Sequence, residues 1–326
     1  MPETRATTDF NSAIRIARDP RIPAGERAEM LMEIALGLQR RPHEPTDLAY
    51  ANDLYNEALQ ICPKDDRLLY GRLLAGQGSA LMAIPEGHEL LQQALERFQS
   101  AEVTLRDLAT PEELAELEMN IGLVLQTLAV EGKAHFADAV RRYHSALKIF
   151  TAENHPREFA IIQNNIATAY LSMTMGEEAG KMREALAVQA YEAALKVLRL
   201  EDHPNEYAML QNNLGNALQY ASSSHPVENN LRAVQCYEEA LKVRTATDRP
   251  LEYANTISNL ANALSNLPDD SERPELGQSK NLDRARYLYA EAEAIFREHG
   301  EVAKARLVAE TLQEIREYMF GADRVH

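Results

Sequence analysis

Small and aromatic residues recur along the chain in a fixed helical pattern. An alanine is followed four residues later by Tyr or Phe, and three residues after that by a second alanine. Offsets of four and three place all three side chains on one stripe of an α-helix. The pattern therefore predicts one helix in each of six repeated units. Its copies are Ala51-Tyr55-Ala58, Ala94-Phe98-Ala101, Ala139-Tyr143-Ala146, Ala187-Tyr191-Ala194, Ala233-Tyr237-Ala240 and Ala285-Tyr289-Ala292.

A second segment precedes each stripe and predicts a partner helix. It has a large apolar residue, then Gly or Ala, then another large apolar residue three places on. Clear copies contain Gly122, Ala167, Gly215 and Ala261, and weaker ones contain Ala35 and Gly78. Prolines punctuate the chain between one unit and the next, at Pro63, Pro111, Pro156, Pro204 and Pro250. Each unit is therefore predicted to be two helices, A and then B.

Three of the turns between units carry nearly the same phrase. They begin His155-Pro156, His203-Pro204 and Arg249-Pro250, and a Glu follows each proline after two residues. Proline suits the first turn of a helix, and an acidic side chain there complements the helix dipole. The residues just upstream are predicted to cap the A helices; they are Asn154, Asp202 and Asp248.

This combination resembles the tetratricopeptide repeat (TPR) over roughly residues 27–299. The phrase Gln-Asn-Asn-Leu-Gly-Asn-Ala-Leu is most similar to kinesin-light-chain-type repeats and their bacterial relatives with long units. The units here are longer than the usual 34 residues, and Gln163 and Gln211 stand where the consensus has Trp. The resemblance implies an all-α fold, a right-handed α-solenoid of about six helical hairpins with a capping helix at each end.

We expect three regions along the chain: an N-terminal cap over 1–26, a repeat array over 27–299 and a C-terminal capping helix over 300–326. Such caps cover the last apolar face of a solenoid. The repeats are expected at about 27–66, 67–110, 111–154, 155–202, 203–248 and 249–299. Short helices are predicted over 9–19 and 301–320. The apolar positions expected in the last one are Leu307, Ala309, Leu312, Ile315 and Met319.

Asparagine recurs on the A helices opposite their packed stripe, since an α-helix turns about 100° per residue. Asparagine is slightly unfavourable inside helices, so its repetition indicates a use. Its amide can pair with both the N–H and the C=O of an extended peptide. The resemblance implies that A helices line a concave groove whose asparagines hold partner segments. The candidate amides are Asn120, Asn165, Asn213, Asn216, Asn255, Asn259, Asn262 and Asn266.

Four further side chains complete the predicted partner-binding groove. Met209, Tyr220 and Leu123 are expected to supply apolar contacts, and Arg72 is one of its few basic groups. An alternative interpretation is that the asparagines bond neighbouring helices and fix the stacking of the repeats. Both interpretations stay open at this point.

Composition narrows the classes of function. The chain has 326 residues, 34 Lys+Arg against 50 Asp+Glu and a net charge of −16. An acidic balance argues against a nucleic-acid partner and favours a basic or neutral protein segment. No run of residues has the length and apolarity of a membrane span or of a signal peptide. We therefore expect a cytoplasmic protein with no membrane partner, and self-association stays open.

No catalytic or cofactor motif is found in the sequence. The nine histidines are scattered, and there is no helical His pair with a Glu, no Gly-rich phosphate loop and no Gly-x-Ser-x-Gly. Cys62 and Cys236 cannot form a zinc site alone, and Cys236 is expected to be buried. We therefore predict a non-enzyme without cofactor or metal, a scaffold that binds a segment of another protein. A peptide-sensing regulator is the main alternative, and an enzyme subunit is a more distant one.

Overall fold

The computed structural model describes residues 12–42, 44, 46–85, 88–174, 176–222 and 225–322. Within these ranges the regular structure is helical, and residues 12–17 form a first short helix. The longer helices are α1 (Ala24–Arg40), α2 (Thr46–Ile61), α3 (Arg67–Ala83), α4 (His88–Leu105), α5 (Pro111–Val130), α6 (Phe136–Ala146), α7 (Pro156–Ser172), α8 (Glu177–Val197), α9 (Pro204–Gln219), α10 (Pro226–Ala240), α11 (Pro250–Ser265), α12 (Ser279–Glu298) and α13 (Val302–Ala322). A 3₁₀ turn at Pro274–Leu276 precedes α12.

The chain divides into two compact units, residues 1–151 and 152–326. The N-terminal unit contains α1 to α6, and the C-terminal unit contains α7 to α13. In each unit the odd-numbered A helix packs on the B helix that follows it, and each B helix packs on the next A helix. The A helices of successive repeats also touch, as in α3 with α5 and α9 with α11. The predicted all-α class and the pairing into stacked hairpins are confirmed, while the exact repeat limits stay a prediction.

The aromatic residue of each B helix is the centre of its hairpin. All six are buried: Tyr55, Phe98, Tyr143, Tyr191, Tyr237 and Tyr289. The ring lies directly on the small residue of the partner A helix, because a Cβ added to Gly122 or Gly215 would come within 2.6 Å of Tyr143 or Tyr237. The predicted stripe of small and aromatic residues is therefore the packing interface of each hairpin.

A hydrogen bond that the sequence pattern did not predict accompanies this packing. The phenol of Tyr143 donates to the Gln126 side chain at 2.8 Å, and Tyr55 donates to Gln39 at the same distance. Each glutamine lies four residues after the small residue of its A helix. In the second repeat Phe98 has no hydroxyl, and Met82 takes the place of the glutamine. The glutamine bond is a feature of some repeats and not of all, since the Tyr191 hydroxyl of the fourth repeat pairs with Thr168 instead.

The starts of the A helices are partly as predicted. Proline is the first residue of α5, α7, α9 and α11, and each of these helices has a Glu in its first turn. The N-cap residues of α7, α9 and α11 are His155, His203 and Arg249, without a side-chain cap bond. The prediction that Asn154, Asp202 and Asp248 cap these helices is therefore wrong. Each lies one residue too early.

The ends of the chain agree in part with the predicted capping helices. Of the short helix expected over 9–19, residues 12–17 are helical, and 9–11 lie outside the described residues. Helix α13 buries Ala305, Val308, Leu312 and Ile315. Leu307 is 64% exposed, so its assignment to the apolar stripe was wrong. The buried stripe includes the next residue, Val308, which lies about 100° further around the helix axis.

Candidate partner-binding surface

Asparagines on successive A helices of the C-terminal unit form a row that we call the asparagine face, made of Asn165 on α7, Asn213 on α9 and Asn259 on α11. All three side chains are partly exposed. The Nδ2 of Asn213 donates to the Oδ1 of Asn164 at 3.0 Å. One repeat later, the Nδ2 of Asn259 donates to the Oδ1 of Asn212 at 3.4 Å. The same bond therefore joins neighbouring A helices twice, which supports the stacking interpretation.

The acceptors of these bonds, Asn164 and Asn212, were missed by the sequence analysis. Each directly precedes an asparagine of the face, and Asn212 is buried. Its Oδ1 also lies 3.3 Å from the hydroxyl of Thr256 on α11. The signal that could have found them is the repeated Asn-Asn pair, whose first member faces the next helix and whose second member faces outward.

Stacking does not use the full bonding capacity of the outward amides. A side-chain amide offers two N–H donors and an oxygen acceptor. Among the described residues, Asn213 and Asn259 each use one donor in the bond to the preceding repeat. Asn165 accepts one bond from Asn164 at 3.3 Å. Since all three are partly exposed, each keeps donors or acceptors for a ligand, and ligand contact stays a prediction.

Tyr220 presents an exposed aromatic ring beside this face. Its side chain is 67% exposed, directly after α9. The Nδ2 of Asn262 on α11 donates to the Tyr220 hydroxyl at 2.9 Å, and Asn266 donates to the Asn262 carbonyl at 2.8 Å. The phenol is therefore held by the next repeat while the ring faces solvent.

The two remaining predicted asparagines of this unit make local bonds. Asn216 accepts from the buried Tyr237 hydroxyl at 2.7 Å, so it belongs to the hairpin packing. Asn255 donates to the Leu251 carbonyl one turn earlier at 2.7 Å. Neither bond reaches another repeat, so these two bonds do not join neighbouring A helices.

Predicted site residues of the N-terminal unit are Asn120, Leu123 and Arg72. Asn120 is partly exposed, and Leu123 is exposed on α5. Arg72 on α3 donates from Nε and Nη2 to the carboxylate of Glu113 on α5, at 2.7 and 3.3 Å. This bond lowers the pKa of the Glu113 carboxyl. Arg72 is thus already paired, which reduces its value as a partner-binding cation.

Met209 lies about one turn before Asn213 on α9, in a cleft of about 360 Å³ that we call the Met209 cleft. The first turns of α9 and α11 and the chain that follows α10 enclose it. Its lining residues are Asn205, Glu206, Ala208, Met209, Val243, Arg244, Arg249 and Glu252. A larger hollow of about 910 Å³ lies between α8 and α10, where no site was predicted. It includes the Arg232–Glu192 ion pair at 2.6 Å.

Known proteins resemble this chain in its fold. No family model and no curated protein matches the chain. Solved structures do match. The signal-transduction ATPase with a tetratricopeptide repeat sensor from Pyrococcus horikoshii (PH0952) gives a TM-score of 0.59 at 18% identity, over 92% of this chain and 42% of that one. BtubC (BKLC) from P. vanneervenii gives 0.52 at 20%, over 74% of this chain and 89% of that one.

A third similar structure is NprR in complex with its cognate peptide NprX. Its TM-score is 0.51 at 17% identity, over 97% of this chain and 84% of that one. Likeness at this level of identity establishes the fold. The chain has a TPR-type fold.

The described part of this TPR array contains no group of three or more His, Cys, Asp or Glu side chains that could hold a metal ion. The Cys236 thiol is buried, as predicted, and burial raises its pKa to about 11, so it is a poor nucleophile. Among the described helices, none is long and apolar enough to cross a membrane.

Proposed function

We propose that this TPR array is a non-catalytic binding protein that holds an extended or helical segment of a protein or peptide partner on the asparagine face. The observation that carries the proposal is the row of partly exposed amides on α7, α9 and α11 beside the exposed ring of Tyr220. The similar NprR structure, which contains a cognate peptide, adds support from the fold.

The chemistry of the face suits recognition of a peptide backbone. An outward amide can donate to a peptide carbonyl and accept from a peptide N–H, while one donor of Asn213 and one of Asn259 join neighbouring repeats. Such contacts read no side-chain sequence, so the ring of Tyr220 supplies the apolar anchor. A fixed aromatic side chain buries much area at low cost in conformational entropy, and its hydroxyl is already held by Asn262.

A selection from a random peptide display library tests the proposal, followed by calorimetry on the enriched peptides. We expect Tyr220→Ala to weaken binding by roughly tenfold or more, as for a buried aromatic anchor. Tyr287→Ala is the matched control, because Tyr287 is a similarly exposed tyrosine on the B helix α12. Equal affinity of both variants, or the absence of any enriched peptide, would contradict the proposal.

Regulation by a free short peptide is a second candidate function. Two of the similar structures support it, the sensor-bearing ATPase and the peptide-bound NprR. In this version the ligand acts alone, without a protein around it. Calorimetry with the same enriched sequences, once as free peptides and once within a carrier protein, separates the two. Binding that requires the carrier would rule out the sensor.

A further inference from the structure

Arg244 occupies a position that is apolar in every other repeat. It lies seven residues after the B-helix aromatic Tyr237. The corresponding residues of the other repeats are Cys62, Leu105, Phe150, Leu198 and Phe296. Four of these five are buried, and Cys62 is partly buried. A guanidinium has therefore replaced a core side chain at one interface of the array, between α10 and α11.

The residue that faces Arg244 has changed with it. The Nη1 of Arg244 donates to the hydroxyl of Thr256 at 2.8 Å, and Thr256 is fully buried. In the second to fifth repeats the position of Thr256 carries the buried residues Leu73, Leu117, Ile162 and Leu210. In the second and third repeats Leu105 and Leu117 belong to one apolar cluster. A polar pair has thus been built where an apolar pair packs elsewhere.

Arg244 has no carboxylate partner among the described residues, although two acids line the same cleft. Glu206 pairs with Arg157 at 3.1 Å, and a bond from its own backbone N–H holds its pKa low. Glu252 pairs with Arg249 at 3.3 Å. Glu252 also acts on Arg244 through its charge, without an ion-pair contact. Arg244 and Arg249 therefore share the one carboxylate of Glu252, which leaves one excess positive charge among the described residues of the Met209 cleft.

Keeping such a cation half-buried costs stability. Desolvation lowers the pKa of Arg244, which shows that its surroundings disfavour the charge. A leucine would satisfy this position by packing alone, as Leu198 does one repeat earlier. Thr256 satisfies one of the five N–H donors of the guanidinium. The side chain also lines an open cleft next to the apolar Met209. An arginine fork in such a place matches a carboxylate in geometry and charge.

We propose that the Met209 cleft is an anion subsite in which Arg244 binds a carboxylate of a peptide ligand, with Met209 packing against the adjoining apolar group. This inference deepens the proposed partner-binding function, and it is testable with small probes that need no partner. A carboxylate at the C-terminus of a peptide and one on an acidic side chain share this chemistry, so the test has one arm for each.

The probes are N-acetylmethionine for a terminal carboxylate and acetyl-Met-Glu-amide for a side-chain carboxylate. Their neutral counterparts are N-acetylmethioninamide and acetyl-Met-Gln-amide. The readout is the Nε–Hε signal of Arg244 in ¹H–¹⁵N spectra, assigned by its loss in Arg244→Leu. We expect a saturable shift with at least one acid, and roughly tenfold weaker binding of its neutral counterpart, the value of one charge-assisted pair. The arm that responds identifies the source.

The double variant Arg244→Leu/Thr256→Leu separates binding from structure. It restores the pair found at the equivalent positions of α8 and α9, Leu198 and Leu210. We expect it to keep its helicity, melt at or above the wild-type temperature and lose the stabilisation that the acid probe gives wild type. Arg141→Leu removes the same charge from an exposed ion pair in the N-terminal unit and should keep that stabilisation.

Several outcomes would overturn the inference. They are a wild type whose Arg244 signal no acid shifts, an equal response to the neutral probes, and a double variant that still responds to acid. If wild type binds selected peptides through Tyr220 but binds no acid probe, this subsite alone is rejected. The reverse result, acid binding without any selected peptide, would reject the proposed function and keep the subsite.

Discussion

Individual glycines set how closely the two helices of a hairpin approach. Gly215 leaves room for the ring of Tyr237, which is completely buried. The sequence predicted this contact from the spacing of small and aromatic residues alone. It did not predict the tyrosine–glutamine bonds, because a helical pattern of apolar residues does not show which polar group the phenol hydroxyl reaches.

Gly215→Ala should therefore destabilise the protein. The added Cβ would lie 2.6 Å from Tyr237, so ring or helix must shift, and we expect a loss of about 1–3 kcal/mol in the free energy of unfolding. Urea denaturation measures it. Gly180→Ala on α8 is the control, since no atom lies within 4 Å of its Cβ. That change should gain up to about 1 kcal/mol from helix propensity.

Helices of successive repeats are joined at three kinds of contact. These are the amide bonds between A helices, ion pairs such as Arg232–Glu192 between B helices, and the buried residues that follow each B helix. Helix existence and order could be predicted because small, aromatic and proline positions repeat. The amide bonds could not be assigned, since the same wheel position allows an asparagine to face a ligand or a neighbouring helix. That ambiguity is a matter of side-chain rotation, which sequence spacing does not fix.

The pair between α3 and α5 gives the stability a defined pH dependence. The hydrogen bond from Arg72 lowers the pKa of the Glu113 carboxyl in the folded state below its unfolded value of about 4.3. The stabilisation is therefore present above that unfolded value and is lost as the pH falls through the folded value. Urea midpoints measured across this range should fall more steeply for wild type than for Arg72→Leu. Parallel curves would show that the pair adds nothing.

The whole molecule carries a net charge of −16, and this field acts on any partner before contact is made. A basic segment is attracted and an acidic one is repelled, whatever the local chemistry of a subsite. A ligand that places one carboxylate at Arg244 is therefore expected to be neutral or basic elsewhere. The composition predicted this preference. The excess positive charge inside the Met209 cleft is visible only from the packing of α9, α10 and α11.

Ionic strength should separate the long-range attraction by the net charge from the close contacts of the bound peptide. For a basic peptide from the selection, we expect the association rate to fall severalfold from low to physiological ionic strength, because long-range attraction is screened. The dissociation rate should change much less, since it depends on close contacts. Surface plasmon resonance measures both, with a neutral peptide as control. An association rate that ignores salt would show that net charge does not guide this partner.

The repeated bond between A helices also bears on how the array could change length. Asn259 meets Asn212 as Asn213 meets Asn164, so removal of residues 203–248 would bring Asn259 to an equivalent acceptor. At that new junction, however, Thr256 would face Leu198 instead of Arg244. The polar side of the interface between α10 and α11 thus matches only a neighbour that supplies the other half of the Arg244–Thr256 pair. The junctions of α7 with α9 and of α9 with α11 share the same amide bond, whereas the Arg244–Thr256 pair is found at the second of them alone among the described residues.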